Sequence, residues 1–237
     1  MTGASRSIGA AVARRLAADG ADVAINFLGS PDRASEVAEA VRAAGRRAIA
    51  VRADVGVESE VRRLVAEVEA EFGRIDILVN NAVYAPKVAF GDIDTATWLR
   101  SFDVNVHGPF WCIKAVVPIM RRHGGGRIVN VGSGAANGAQ NGVGPHYAAT
   151  KAALHALTRN VAHELAPENI IVNGVMPGFT MTDLMRTLRT PEQIEAVGRT
   201  IALGRLATPE ETADVVSYLC SDRASYFVGQ MYPMSAG

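Results

Sequence analysis

The sequence has little of what would tie a chain to an oxidising compartment, a membrane or a nucleic acid. Its two cysteines, Cys112 and Cys220, stand alone in apolar surroundings without metal-ligand spacing. Core thiols are therefore expected, with neither a disulfide framework nor a metal site. Acid and base cancel at 24 residues each, so no global field favours nucleic acid or an anionic membrane. No apolar run approaches the length of a membrane span, and no charged-then-apolar leader precedes the first motif. A soluble, cytoplasmic protein is expected on that ground. Aromatics are scarce at 6%, yet hydrophobic residues reach 49% of the 237, enough to bury a continuous core. No repeat, low-complexity tract or linker divides residues 1–237, which predicts one domain.

What is present is an alternation. Short β-branched runs ("DVAINF", "RRAIAVRAD", "IDILVNNA", "RIVNVGS", "NIIVNGVMPG" and "GQMYPM") read as strands. Between them, helical patterns are expected over 32–44, 58–72, 95–123, 145–166 and 209–220, with a polar, irregular stretch running to Arg205. Buried-type strands alternating with helices predict an α/β fold: a doubly wound, Rossmann-like parallel sheet with helices on both faces.

The chemistry-bearing residues fall at the strand ends. In "TGASRSIGAAVARRLAADG", Gly3 and Gly9 bracket a turn that runs into a helix. Backbone N–H groups and the dipole at such a start favour a pyrophosphate, although a tight helix–strand junction explains small residues equally well. In "YAATK", Tyr147 and Lys151 share one helix face, one turn apart. Thr2-Gly3-x-x-x-Ser7-Ile8-Gly9, Asp54-Val55, Asn80-Asn81-Ala82, Asn105, Ser133, Tyr147-x-x-x-Lys151 and Pro177-Gly178 follow one another in that order. Together they resemble the short-chain dehydrogenase/reductase family over essentially the whole chain, and within it the 3-oxoacyl-carrier-protein reductase type.

The resemblance implies hydride transfer between a nicotinamide dinucleotide and a carbonyl or secondary alcohol. A 3-oxoacyl thioester is one such substrate. Tyr147 would be the acid/base, Ser133 would hold the substrate oxygen, Lys151 would hold the nicotinamide ribose, and Asn105 would hold a relay water behind Lys151. The bland alternatives are a serine finishing its strand and an asparagine satisfying backbone at a helix irregularity. An ammonium about 4 Å from the phenolate is worth roughly 4 kcal/mol at an effective dielectric near 20. That is about three pKa units, enough to bring Tyr147 from 10 toward 7. Gly3, Ser5, Arg6, Ser7, Ile8 and Gly9 would surround the phosphates, Phe27 the adenosine ribose, and Asp54 and Val55 the adenine. Asn81, Ala82, Pro177, Gly178 and Thr182 would close over the rest, with a substrate lid at about 179–205. This lid mixes Leu184, Met185 and Leu188 with Arg186 and Arg189.

Three departures from the family stand out. Ser7 replaces the middle glycine of the phosphate turn, and Val83 replaces the glycine after Asn80-Asn81-Ala82. Ser133 lies fourteen residues before Tyr147, one more than the commoner interval, which leaves Gly134 as a rival for its place. NAD enzymes commonly carry a carboxylate where this chain has Phe27. Arg6, aided by Ser30 or Arg33, could instead pair with a 2′-phosphate. NADP(H) is therefore favoured over NAD(H). The rival readings are an NAD-dependent dehydrogenase of a sugar, steroid or cyclic alcohol, and a family member without catalysis.

Two further expectations concern partners. The helical stretches 95–123 and 145–166 carry more apolar surface than one sheet face covers, and the resemblance suggests a homotetramer built on them and on the last strand. Arg121 and Arg122 in "MRRHGGG" are either a docking spot for an acidic acyl carrier protein or cations set against a helix C-terminus.

The last expectation concerns the start. In the family, a strand ahead of the phosphate turn lies mid-sheet, and here only Met1 and Thr2 stand for it. The reading is of a truncated central strand and a shortened gene product. A vacant or collapsed slot is expected between the strands at 22–27 and 75–80, with unpaired backbone groups on both walls.

Overall fold

Residues 1–138 and 143–235 are described by the computed structural model, and buried strands alternate with helices through nearly all of them. Helix α1 (Ser7–Ala18) leads to β1 (Val23–Phe27), α2 (Pro31–Ala43), β2 (Ala48–Arg52), α3 (Glu58–Phe72) and β3 (Ile77–Asn80). Then follow α4 (Thr95–Phe102), α5 (Gly108–Arg122), β4 (Gly126–Val131), α6 (Pro145–Leu165) and β5 (Ile170–Pro177). Short helices α7 (Asp183–Leu188) and α8 (Pro191–Thr200) precede α9 (Pro209–Cys220) and β6 (Met231–Met234).

Local chemistry fixes these limits. Pro31 opens α2 where its missing N–H costs nothing, and Gly73 closes α3 at φ +77°, a conformation glycine adopts freely. Capping boxes start α8 (Thr190 with Gln193) and α9 (Thr208 with Glu211). The box at α8 also explains why part of the stretch expected to be irregular is helical: N–H groups of its first turn are satisfied. The helix expected over 95–123 is interrupted at Asp103–His107 by a π-turn that holds Asn105.

All strand pairs are parallel, but the sheet is in two pieces. One is β1–β2, with Val23 opposite Ala48; the other runs β3–β4–β5–β6, with Ile77 opposite Arg127 and Gly126 opposite Ile170. All eight residues of β5 are buried, as a parallel strand covered on both faces requires. Helices α1, α2 and α9 pack on one side, and α3, α5 and α6 on the other. Cys112 and Cys220 are buried free thiols, and burial pushes each up to about 12. No helix among the described residues is long and apolar enough to cross a membrane.

Between β1 and β3 lies the expected slot. Its upper end is spanned by the first residues: the Met1 amino nitrogen donates to the Ala24 carbonyl at 2.9 Å, Asn26 N–H to the Met1 carbonyl at 3.0 Å, and Thr2 N–H to the Val79 carbonyl at 3.0 Å. Below them the slot is a cavity of about 410 Å³, walled by Leu16, Val23, Leu64, Val68, Cys112 and Val116 among others. The alternation of parallel ladders turns the Ala24 N–H and the Ile77 peptide groups into it. The walls have not collapsed, because helices on both faces are held by the rest of the core.

Such a slot should accept a strand. Fusing four or five β-branched residues ahead of Met1 should raise the melting temperature by at least about 5 °C, read by circular dichroism. An unchanged or lower value would mean that the walls do not pair with it.

Candidate functional site

The phosphate turn is held by side chains at the carboxyl ends of the strands flanking the slot. The Thr2 hydroxyl accepts from the Asn81 and Ala82 N–H groups at 2.9 and 3.1 Å, and the Asn81 side chain donates back to the Thr2 and Gly3 carbonyls. From β1, the Asn26 amide oxygen accepts from Gly3 N–H at 3.2 Å, while its amide nitrogen donates to the Ala53 carbonyl at 2.9 Å. Gly3 sits at φ +59°, where a Cβ would lie 2.8 Å from the Ala82 Cα, and a Cβ on Gly9 would strike the Gly3 carbonyl. Only glycine fits at either place. Above this turn the N-terminus of α1 has no side-chain cap and no acid in its first turn.

That helix start opens on a cavity of about 790 Å³. Ser5, Arg6, Ser7 and Ile8 line it beside the two glycines, and Phe27, Asp54 and Val55 line its adjoining wall. Asn81, Ala82 and Val83 lie across from Pro177, Gly178 and Thr182. Ser133, Tyr147 and Lys151 meet on its floor. Every candidate therefore reaches one space except Asn105, which is buried behind it.

The Asn105 side chain satisfies backbone groups at the π-turn, as the alternative reading of the sequence has it. Its oxygen accepts from Tyr84 N–H at 2.8 Å, and its nitrogen donates to the Tyr84 carbonyl and the Thr150 hydroxyl at 2.9 and 3.1 Å. With both amide hydrogens engaged, the side chain braces the loop that follows β3.

The electrostatics of the floor also differ from expectation. Ser133 hydrogen-bonds the Tyr147 hydroxyl, which lowers the phenol's pKa, but burial raises it by more. Tyr147 therefore lies above the ordinary tyrosine value, not near 7. Lys151 donates to the Val131 carbonyl at 2.8 Å, and its Nζ lies 5.7 Å from the centre of the Tyr147 ring. Burial brings Lys151 itself down to about 8. Ser133, not Gly134, holds the position beside Tyr147; Gly134 begins a short 3₁₀ turn whose Ala135 N–H donates to the Ser133 hydroxyl at 3.2 Å. Residues 139–142, between Ser133 and Tyr147, lie outside the described residues.

The departures and the remaining cations have structural consequences. Ser7 stands at φ +48°, the region the family's glycine would take freely, and its hydroxyl accepts from Asp183 N–H at 3.0 Å. Thr182 caps α7 through Met185 N–H at 3.2 Å. Arg33 pairs with Asp183 at 2.7 Å, and Arg121 and Arg122 pair with Glu168 and Glu69.

Two residues escaped the sequence reading. Arg100 on α4 donates to both carboxylate oxygens of Asp54 at 2.8 and 2.6 Å, so the adenine candidate is held before any ligand arrives. His155, one turn past Lys151, accepts from Ser133 N–H at 3.4 Å through Nε2, against the bare backbone of Gly132. Burial and the neighbouring Lys151 bring it down to about 4. Its i+4 spacing from Lys151 was a usable signal, but a histidine in a helix is seldom read as more than core.

Comparison with known proteins points to one family. Residues 3–237 match the family described as Enoyl-(Acyl carrier protein) reductase. The 3-oxoacyl-[acyl-carrier-protein] reductase of Staphylococcus epidermidis is 37% identical over 238 residues, covering 100% of this chain and 96% of its own. A short-chain dehydrogenase from Burkholderia cenocepacia, solved in complex with NADP, superposes with a TM-score of 0.93 at 35% identity, covering 100% and 95% of the two chains. A 7α-hydroxysteroid dehydrogenase solved with NADH and 7-oxo glycochenodeoxycholic acid gives 0.94 at 35% identity, covering 100% and 92%.

The neutral, buried state of His155 can be read in solution. Its folded pKa of about 4 lies below the unfolded 6.5, so between these values the unfolded chain binds more protons and stability rises with pH. Wild-type protein should therefore gain more urea stability between pH 5 and 7 than His155→Gln. Identical gains would mean that His155 titrates normally.

Proposed function

The chain belongs to the short-chain dehydrogenase/reductase family, and from that premise we propose a working oxidoreductase that moves a hydride between NADP(H) and a small-molecule carbonyl or secondary alcohol. The observation that carries this reading is the convergence of Ser133, Tyr147 and Lys151 on a cavity that runs to the uncapped start of α1.

The residues present fit a dinucleotide. An uncapped helix N-terminus with two glycines that tolerate no side chain is suited to a pyrophosphate. Phe27 brings no carboxylate to the ribose position, and Arg6 lines the cavity at the phosphate turn. Arg33, engaged by Asp183, is the weaker candidate for a 2′-phosphate. These features support NADP(H), as does the NADP carried by the Burkholderia relative. NAD(H) is the alternative, since the hydroxysteroid relative carries NADH.

When bound, the dinucleotide supplies the hydride, and the chain's residues handle the proton. Tyr147, protonated at neutral pH, donates its phenolic proton to the carbonyl oxygen as charge builds there. The Ser133 hydroxyl, already bonded to Tyr147, steadies the same oxygen. Lys151, on the floor of the cavity beside Tyr147, would hold the nicotinamide ribose. A phenol held in its acid form suits carbonyl reduction better than alcohol oxidation.

Residues 179–205 form the substrate lid in this reading, which treats residues 1–237 as one domain. Lys87 Nζ donates to the Leu188 carbonyl at 3.4 Å and ties this lid to the loop after β3. The substrate is a small ketone or a 3-oxoacyl thioester. Arg121 and Arg122, each paired with a glutamate, give docking of a carrier protein no support. A cytoplasmic homotetramer is part of the proposal; Leu99 on α4 and Phe110 on α5 are half exposed, as an interface on those helices would need.

Steady-state kinetics test the assignments together. Tyr147→Phe should lose roughly 10²- to 10⁴-fold in turnover while binding NADPH almost as well. Arg6→Ala should narrow a preference for NADPH over NADH by weakening NADPH. Retention of a tenth of the turnover in the first variant, or an intact enzyme that prefers NADH, contradicts the corresponding role.

A further inference from the structure

The wall of the large cavity near Phe27 holds a carboxylate whose bonding is nearly complete. Asp54 and Arg100 both line it, with side chains 19% and 30% exposed. Among the described residues, three hydrogen bonds reach the Asp54 carboxylate. Gly56 N–H donates to Oδ1 at 2.8 Å, and Arg100 Nη2 donates to Oδ1 at 2.8 Å and to Oδ2 at 2.6 Å. The backbone of Asp54 is fixed as well: its N–H donates to the Glu60 carboxylate at 2.8 Å, and its carbonyl accepts from Val57 N–H at 3.1 Å. Arg100 reaches this wall from α4, 46 residues further along the chain. It passes so close over Gly56 that a Cβ there would collide with Nη1, so the glycine makes room for the guanidinium.

An ionised carboxylate offers about four acceptor positions and no donor. Gly56 and Arg100 fill two on Oδ1 and one on Oδ2, which leaves one position on Oδ2 for a ligand in the cavity. A single acceptor of fixed direction takes one N–H and rejects a carbonyl oxygen brought to the same place. The exocyclic amino group of adenine supplies that N–H, and a 6-oxo purine presents an oxygen instead. Direction is what the arginine contributes. Without its two charge-assisted bonds the carboxylate is held by Gly56 alone and is free to turn. We infer that Arg100 is a positioning residue, which makes this wall select adenine over a 6-oxo purine by fixing Asp54. The inference rests on the dinucleotide reading of the cavity. Adenine is common to NADP(H) and NAD(H), so it holds for either.

The test is binding without turnover. Titration calorimetry compares NADP⁺ with its hypoxanthine counterpart on wild type, Arg100→Met, Gly56→Ala and, as a control, Arg62→Gln on the exposed face of α3. Wild type should bind the adenine dinucleotide about tenfold or more tightly than the hypoxanthine one. Arg100→Met should narrow that ratio to within about threefold, and the control should match wild type. Gly56→Ala displaces the guanidinium without removing it and should narrow the ratio as well. In an Asp54→Ala background, adding Arg100→Met should change the ratio no further, because the arginine acts through the carboxylate. A salt bridge with a structural role alone would weaken both dinucleotides alike, so an undiminished ratio in Arg100→Met overturns the inference. Further narrowing in the Asp54→Ala background overturns it too. Equal binding of the two dinucleotides by wild type strikes the inference and leaves the dinucleotide reading standing, whereas binding of neither strikes both. If Arg100→Met does not melt cooperatively, Gly56→Ala decides, and an undiminished ratio there overturns the inference.

Discussion

The structure depends on a small set of hydrogen bonds that join two sheets which otherwise do not pair. Thr2, Gly3 and Ala4 bond to Asn26 at the end of β1 and to Val79, Asn81 and Ala82 at the end of β3. The β1–β2 pair carries the wall near Phe27 and Asp54, and the β3–β6 sheet carries Ser133 and the residues after Pro177. Because the phosphate turn is bonded to both, the two walls of one binding cavity keep a common register across a slot of about 410 Å³. Side-chain acceptors such as the Thr2 hydroxyl do here what a continuous ladder does in an unbroken sheet.

Desolvation, more than pairing, sets the chemistry of the floor. Burial moves three neighbouring groups the same way, toward their neutral forms: Tyr147 up, Lys151 down to about 8, His155 down to about 4. The sequence argument placed an ammonium about 4 Å from the phenolate oxygen and weighed only their attraction. Burial is the largest influence on the Tyr147 phenol, so the cost of burying a phenolate dominates. The result is a site poised to give a proton, which fits the direction of carbonyl reduction.

Much of this was legible in the sequence because it lay in periodicity and spacing. Six strands and the longer helices follow from apolar patterns and from glycine and proline at their ends. That Tyr147 and Lys151 share one helix face follows from their i,i+4 spacing, while their roles came from the resemblance of the ordered motifs to a family. What was not legible depends on partners distant in sequence. Nothing near Asn105 announces Tyr84 and Thr150, nothing near Asp54 announces Arg100, and the capping box of α8 was hidden in a stretch that looked merely polar.

Ser7 shows how a departure from a pattern can carry structure of its own. As a replacement for glycine it takes a left-handed backbone at φ +48°, which costs a side-chain-bearing residue energy. Its hydroxyl then accepts from Asp183 N–H, the first residue of α7, while the Asp183 carboxylate holds Arg33 on α2. A glycine could adopt the turn more easily but could make no such bond. The phosphate turn and the start of α7 are therefore physically one assembly. Helix α7, whose Leu184, Met185, Thr187 and Leu188 line the cavity, begins at the turn suited to phosphate, so its placement is set from the cofactor end of the cavity.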